Sequence, residues 1–142
     1  MPYKVNFEII EMEHGDFHTI VKPVVEGRKI RAVLDTGASH SCIDKNFIKS
    51  VLPDKDMEQN EGVNAGIGGS DFEVLATDIE DFRIGHYRQK GTLTIAVIDF
   101  IHINSAYEML NLEPIQMILG NDFLVKHKAI IDYSNKKLFF NK

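Results

Sequence analysis

Apolar side chains recur at every second position in short runs along most of the chain, as at Val5, Phe7 and Ile9, at Ile30, Ala32 and Leu34, and at Leu93, Ile95 and Val97. Successive side chains of a strand point to opposite faces, so each run predicts a strand with one face turned inward. Further runs at 19–25, 72–77, 79–84, 115–119, 129–133 and 138–140 extend the pattern, and 134–136 is suited to turn the last hairpin. Helical signals are few. Asp44 is placed to cap a short helix through Phe47, Ile48 and Val51 that stops at Pro53. Ser105 with Glu108 reads as a capping box before Leu110, and Asn121 reads as the cap of a third helix beginning near Asp122. Many short strands with only minor helices predict an all-β fold, a small barrel or sandwich.

The chain has 142 residues, the size of one ordinary domain, and a single domain over 1–142 is expected. The polar stretch 54–64 reads as a loop, not a linker, because strand patterning continues on both sides of it. A formal charge of −5 argues against a sequence-independent grip on phosphate backbones, so no nucleic-acid partner is expected. No apolar run approaches the roughly 20 residues of a membrane helix, so no membrane partner is expected either. Cys42 is the one cysteine, which excludes an internal disulfide framework and any Cys-x-x-Cys site. With no secretory block at the N-terminus, the expected address is cytoplasmic.

Three segments carry chemistry. Val33-Leu34-Asp35-Thr36-Gly37-Ala38-Ser39 sets an acid at the end of an apolar strand, where the chain breaks into a turn of small residues. A carboxylate in such a place needs donors, and the backbone N–H groups of a Gly-Ala-Ser turn can supply them. Taken alone, the segment reads more readily as a strand followed by an Asx-type turn than as a catalytic loop. Ala65-Gly66-Ile67-Gly68-Gly69-Ser70 is a glycine-rich tip. It lacks the Lys-Ser or Lys-Thr of a phosphate-cradling loop, and Asp71 stands where a dinucleotide loop needs glycine. What remains is a plain hairpin or a mobile flap with Ile67 as its apolar tip. Ile118-Leu119-Gly120 leads into the third helix, and Gly120 suits a close approach of two backbone segments.

Other residue types carry less. His14, His18, His40, His86, His102 and His127 show no ligand pair with a carboxylate at helical spacing, so no metal or other cofactor is expected. Cys42 has no local base and reads as a small buried hydrophobe. Lys45, Lys49 and Lys55 are interrupted by acids and read as solvated surface.

In combination and in this order, the three segments resemble the retropepsin-like family of aspartic peptidases, the single-lobed enzymes that include the retroviral proteases. The likeness spans roughly 19–140. Asp35-Thr36-Gly37-Ala38-Ser39 is similar to the family's catalytic loop, Gly66, Ile67, Gly68 and Gly69 to its flap, and Ile118-Leu119-Gly120 to its apolar-apolar-Gly element. The closing Ile130-Ile131-Asp132-Tyr133 and Leu138-Phe139-Phe140 are similar to the last hairpin of cellular and bacterial members. The resemblance implies a small β-barrel with psi-shaped loops, active as a homodimer, that hydrolyses peptide bonds through water held between two aspartates. It implies that Asp35 is the catalytic acid, that Thr36 bonds across the interface, and that the Gly37 N–H supports the carboxylates. The stoichiometry has its own argument, because the chain holds one Asp-Thr-Gly and no Asp-Ser-Gly, whereas the chemistry needs two facing carboxylates. Ala38 has no hydroxyl to lower the pair's titration, so activity toward mildly acidic or near-neutral pH is expected. Segments 54–64 and 99–114 look longer than the matching viral connections, and the chain ends do not clearly match the viral terminal strands. The alternative is a non-catalytic dimer that uses the same groove to bind peptide or protein.

Overall fold

In the computed structural model, which describes residues 3–55, 57–59 and 75–140, the alternating runs form strands. The first are β1 (Tyr3–Asn6), β2 (Glu8–Glu11) and β3 (Phe17–Val21). The run at 19–25 does not stay one strand: it stops at Val21 and resumes as β4 (Val24–Val25). Pro23 between them has no N–H for a ladder, and its carbonyl instead accepts Ile30 N–H at 2.9 Å. After β5 (Arg28–Lys29), β6 (Ala32–Leu34) and β7 (Cys42–Asp44) comes helix α1 (Lys45–Val51). Asp44 accepts Phe47 N–H at its start, as its capping position predicts. Beyond β8 (Glu58–Gln59) lie β9 (Leu75–Ile79), β10 (Phe82–Ile84) and β11 (Tyr87–Arg88). The run at 79–84 also divides, because the N–H groups of Glu80 and Asp81 both turn to Glu26 Oε2 at 3.1 Å.

The rest of the chain is β12 (Leu93–Ile98), α2 (Ile101–Met109), β13 (Met117–Leu119), α3 (Asn121–Lys126), β14 (Ile130–Asp132) and β15 (Lys137–Phe140). Two capping expectations are corrected. Ser105 lies inside α2 and its hydroxyl donates back to Ile101 O, because the helix begins a turn earlier, where Asp99 Oδ1 accepts Ile101 N–H at 3.0 Å. Asn121 is the first helical residue of α3, with Gly120 at the cap position, and its side chain is engaged elsewhere, as described below.

The largest sheet has the order β2-β3-β6-β13-β7-β12-β9-β8, flanked by β11-β10-β4-β5 and by β1-β15-β14. β13 lies between β6 and β7, parallel to the first and antiparallel to the second. A strand inserted between two strands that precede it in the chain makes a psi-shaped unit. The inner strands are apolar on both faces. Ala32, Leu34 and Ile43 join the main core with Ile48, Ile79, Met117 and Phe140, while Val33 and Cys42 join a second layer with Ile20, Phe100, Tyr107 and Ile115. Pairing with β3 on one side and β13 on the other sets the register of β6, and therefore the point at which Asp35 leaves the sheet. Among the described residues no helix is long and apolar enough to cross a membrane.

Candidate active site

Asp35 follows β6 directly, and its N–H donates to Leu119 O at 2.9 Å, so the β6–β13 ladder holds the residue to its last bond. The chain then turns: Ala38 N–H donates to Asp35 O at 3.1 Å, and Gly37 N–H donates to the carboxylate Oδ1 at 2.9 Å. Such an N–H fixes one oxygen of the carboxylate. A β-carbon on Gly37 would sit 3.3 Å from that same Oδ1, so the glycine gives the donor its close approach.

A second loop supports the first. Gly120 is packed so tightly that a β-carbon there would lie 2.7 Å from Ala38 O and 3.0 Å from His40 C. Asn121 N–H donates to Ala38 O at 2.8 Å, and its side-chain Nδ2 donates to Thr36 O at 2.7 Å. Asp122 N–H donates to Ser39 O at 3.2 Å. In the other direction, Ser41 Oγ donates to Asp122 Oδ1 at 2.7 Å and accepts Gly120 N–H at 2.9 Å, while Ser41 N–H reaches both Asp122 oxygens at 3.0 Å. Thr36, Ala38, Ser39, Leu119 and Gly120 are thus brought together around Asp35. Ser41, Asn121 and Asp122 are supporting side chains whose role the sequence did not display, because their partners lie about eighty residues away. The one local hint was a serine opening the otherwise apolar Ser41-Cys42-Ile43.

The carboxylate opens onto a cleft of about 450 Å³. Val33, Thr36 and Ile118 line it beside Asp35, α2 contributes Ile103 and Tyr107 to its wall, and the exposed rings of Phe17 and Tyr133 reach it. Ile118 is therefore a cleft residue, and Leu119 points to the main core. Burial pushes the Tyr107 phenol up to about 12, so it remains protonated. Burial, aided by Asp122 and Asp35, likewise pushes the Cys42 thiol up to about 12, and the thiol is no nucleophile. Among the described residues no cluster of histidine, cysteine and acids is arranged to hold a metal. The glycine-rich tip with Gly66, Ile67, Gly68 and Gly69 lies outside the described residues.

The family profile described as "Aspartyl protease" matches residues 21–123, more than half of the chain. No curated protein matches significantly. Among solved structures, the chain is similar to a retropepsin-like aspartic protease from Rickettsia conorii, with TM-score 0.58 and 17% identity over 99% of this chain and 93% of that one. It is similar to the retroviral protease-like domain of Ddi1 from Leishmania major, with TM-score 0.58 and 17% identity over 87% of each chain. A third likeness is to the EIAV protease complexed with the inhibitor HBY-793, with TM-score 0.53 and 19% identity over 87% of this chain and 97% of that one. At these identities the likenesses show the fold, an all-β retropepsin-like one. The profile match, falling on the psi unit and the loop that carries Asp35, makes this chain a member of the aspartyl protease family, of the retropepsin-like kind.

Proposed function

We propose that the chain is an aspartic endopeptidase that completes its active site by pairing with a second copy of itself. The observation that carries this reading is Asp35, held at the end of β6 with one oxygen on the Gly37 N–H and opening onto a cleft lined by both polar and apolar side chains. One carboxylate cannot both take a proton from water and give one to the scissile carbonyl. A two-fold axis beside this loop supplies the second carboxylate without a second motif in the chain. The exposed Phe17 and Tyr133 at the cleft suit burial by a partner or an extended peptide.

Two carboxylates about 3 Å apart share one proton and titrate as a unit. The ionised member takes a proton from the water between them as its oxygen attacks the peptide carbonyl. The protonated member donates to the carbonyl oxygen, giving a neutral tetrahedral diol. The carboxyl that then holds the proton gives it to the amide nitrogen while the ionised one takes a proton from a diol hydroxyl, so that the C–N bond breaks, the carbonyl reforms and the pair is left with its one shared proton. Ala38 adds no hydroxyl beside the pair, so the profile extends toward mildly acidic or near-neutral pH.

The test is a pool of unstructured peptides incubated with wild type and with Asp35→Asn at several pH values and read by mass spectrometry. Wild type is expected to cleave and Asp35→Asn to lose all measurable cleavage, with the solution mass of both at low micromolar concentration that of a dimer. Equal cleavage by both proteins, or a strict monomer that still cleaves, refutes the reading. Peptide binding without cleavage by wild type replaces it with a binding module on the same fold.

A further inference from the structure

The four-stranded sheet β11-β10-β4-β5 turns one face to the core. Phe82 and Ile84 of β10 and Val25 of β4 are buried there, so the alternate positions face outward. The register sets Arg88 opposite Arg83, Arg83 opposite Val24, and Val24 opposite Lys29. Directly opposed residues share a face, so one outward row across all four strands carries three cations and a half-buried valine. The row continues at both ends. Beyond β11, Arg88 joins Lys90 and Lys126 around a pocket of about 330 Å³ that has Tyr3 and Tyr87 in its wall. Beyond β5, Lys29 and Lys22 line a second hollow of about 360 Å³.

Like charges directly opposed on a sheet are destabilising, and a chain with 21 acidic and 16 basic residues has carboxylates enough to relieve them. The acids bordering the row are spent otherwise. Asp81 pairs with Arg88, Glu8 pairs with Arg31 at 3.0 Å, and Glu26 Oε2 accepts the N–H groups of Glu80 and Asp81. Among the described residues Lys22, Lys29, Arg83, Lys90 and Lys126 are in no ion pair. We infer that this row is a docking face for an acidic, extended protein segment, a second binding surface besides the cleft at Asp35. Neighbouring strands lie about 4.8 Å apart, so the row from Arg88 to Lys29 spans ~14 Å. An extended chain rises about 3.3 Å per residue, and carboxylates at its first, third and fifth positions share one face and span ~13 Å. A segment with acids at every second position therefore matches the row. Lys29 and Asp35 are six positions apart, so the row begins within about 22 Å of the carboxylate and one protein chain can reach both. The inference goes beyond the proposed function and does not depend on it.

The test is fluorescence anisotropy with a labelled peptide that has glutamate at every second position, and with the same peptide carrying glutamine there. Wild type is expected to bind the glutamate peptide, more weakly as salt rises, and the glutamine peptide about tenfold less tightly. Lys29→Gln with Arg83→Gln removes two charges of the row and is expected to weaken binding about three- to tenfold, whereas Lys45→Gln with Lys49→Gln removes two from α1 and leaves it unchanged. Lys29→Arg with Arg83→Lys keeps the charges and retains binding, which separates lost charge from lost folding. Equal weakening by the two glutamine pairs means that only net charge matters and overturns the inference, as does equal binding of the two peptides. A Kd for the glutamate peptide that shifts more than about threefold in Asp35→Asn puts the peptide in the cleft and overturns it too. Tighter binding of a single-stranded oligonucleotide of the same charge overturns it in favour of a nucleic-acid face. None of these measurements reads cleavage, so a chain that cleaves nothing defeats the proposed function and leaves the docking face standing.

Discussion

The contact between Gly120 and the Asp35 loop makes a sharp prediction for Gly120→Ala. The glycine has φ near −101°, a conformation alanine adopts freely, so any cost comes from crowding and none from backbone preference. The new β-carbon would lie 2.7 Å from Ala38 O, 3.0 Å from His40 C and 3.1 Å from His40 O, and all three are backbone atoms with no rotamer to escape into. Overpacking of this kind costs about 1–3 kcal/mol. The retreat also stretches the bonds from Asn121 N–H to Ala38 O and from Gly120 N–H to Ser41 Oγ, each worth about 1 kcal/mol when well made. Together the expected loss is about 2–4 kcal/mol. For 142 residues the unfolding entropy is about 0.3 kcal/mol/K, so Tm should fall by ~7–13 °C. Thermal unfolding of wild type and variant at one fixed protein concentration measures it, since the midpoint of an associating protein depends on concentration. A midpoint within about 1 °C of wild type would mean that the two loops are not pressed together, and the account of how Asp35 is held would fail.

Two further predictions concern groups away from Asp35. Burial, and secondarily Lys126, holds His127 below its ordinary range, between the Tyr87 hydroxyl at 2.6 Å and Gln89 Oε1 at 3.0 Å. The folded ring binds its proton less readily than the unfolded one, so this stability is complete above about pH 6.5 and is lost as pH falls from there. Urea midpoints between about pH 7 and 5 should therefore drop more steeply for wild type than for His127→Gln, and parallel profiles refute it. Cys42, buried and with its thiol pushed up to about 12, should resist thiol-specific disulfide reagents at mildly alkaline pH until the protein unfolds. Labelling of the native protein as fast as of the urea-unfolded chain contradicts that placement.

Strand type and the Asp35 loop were legible in the sequence because each rests on local pattern. Alternation at 93–97 became β12, and the acid after Val33-Leu34 stands where the apolar strand stops. β7 was not legible, since Cys42 faces one core layer and Ile43 the other, and a strand buried on both sides has no alternation to read. The Ser105–Glu108 pattern misled because a capping box is a pairing of residue types, whereas the actual start of α2 was decided by Asp99, and by Asp44 Oδ1 accepting Phe100 N–H from across the fold. The supports of Asp35 were hidden for the same reason. Ser41 and Asp122 are ordinary polar residues until the chain returns and sets them side by side.

The insertion of β13 between two strands made some eighty residues earlier imposes an order of events on synthesis. While residues up to Ser41 and well beyond are already outside the ribosome, the Asp35 turn lacks the Leu119 carbonyl, the Gly120 contact and the Asn121 side chain that shape it. Contacts so distant along the chain are slow to form. A nascent chain therefore carries its acid in an unshaped loop until the segment through Asp122 has emerged, and partially made copies cannot assemble the supported carboxylate loop.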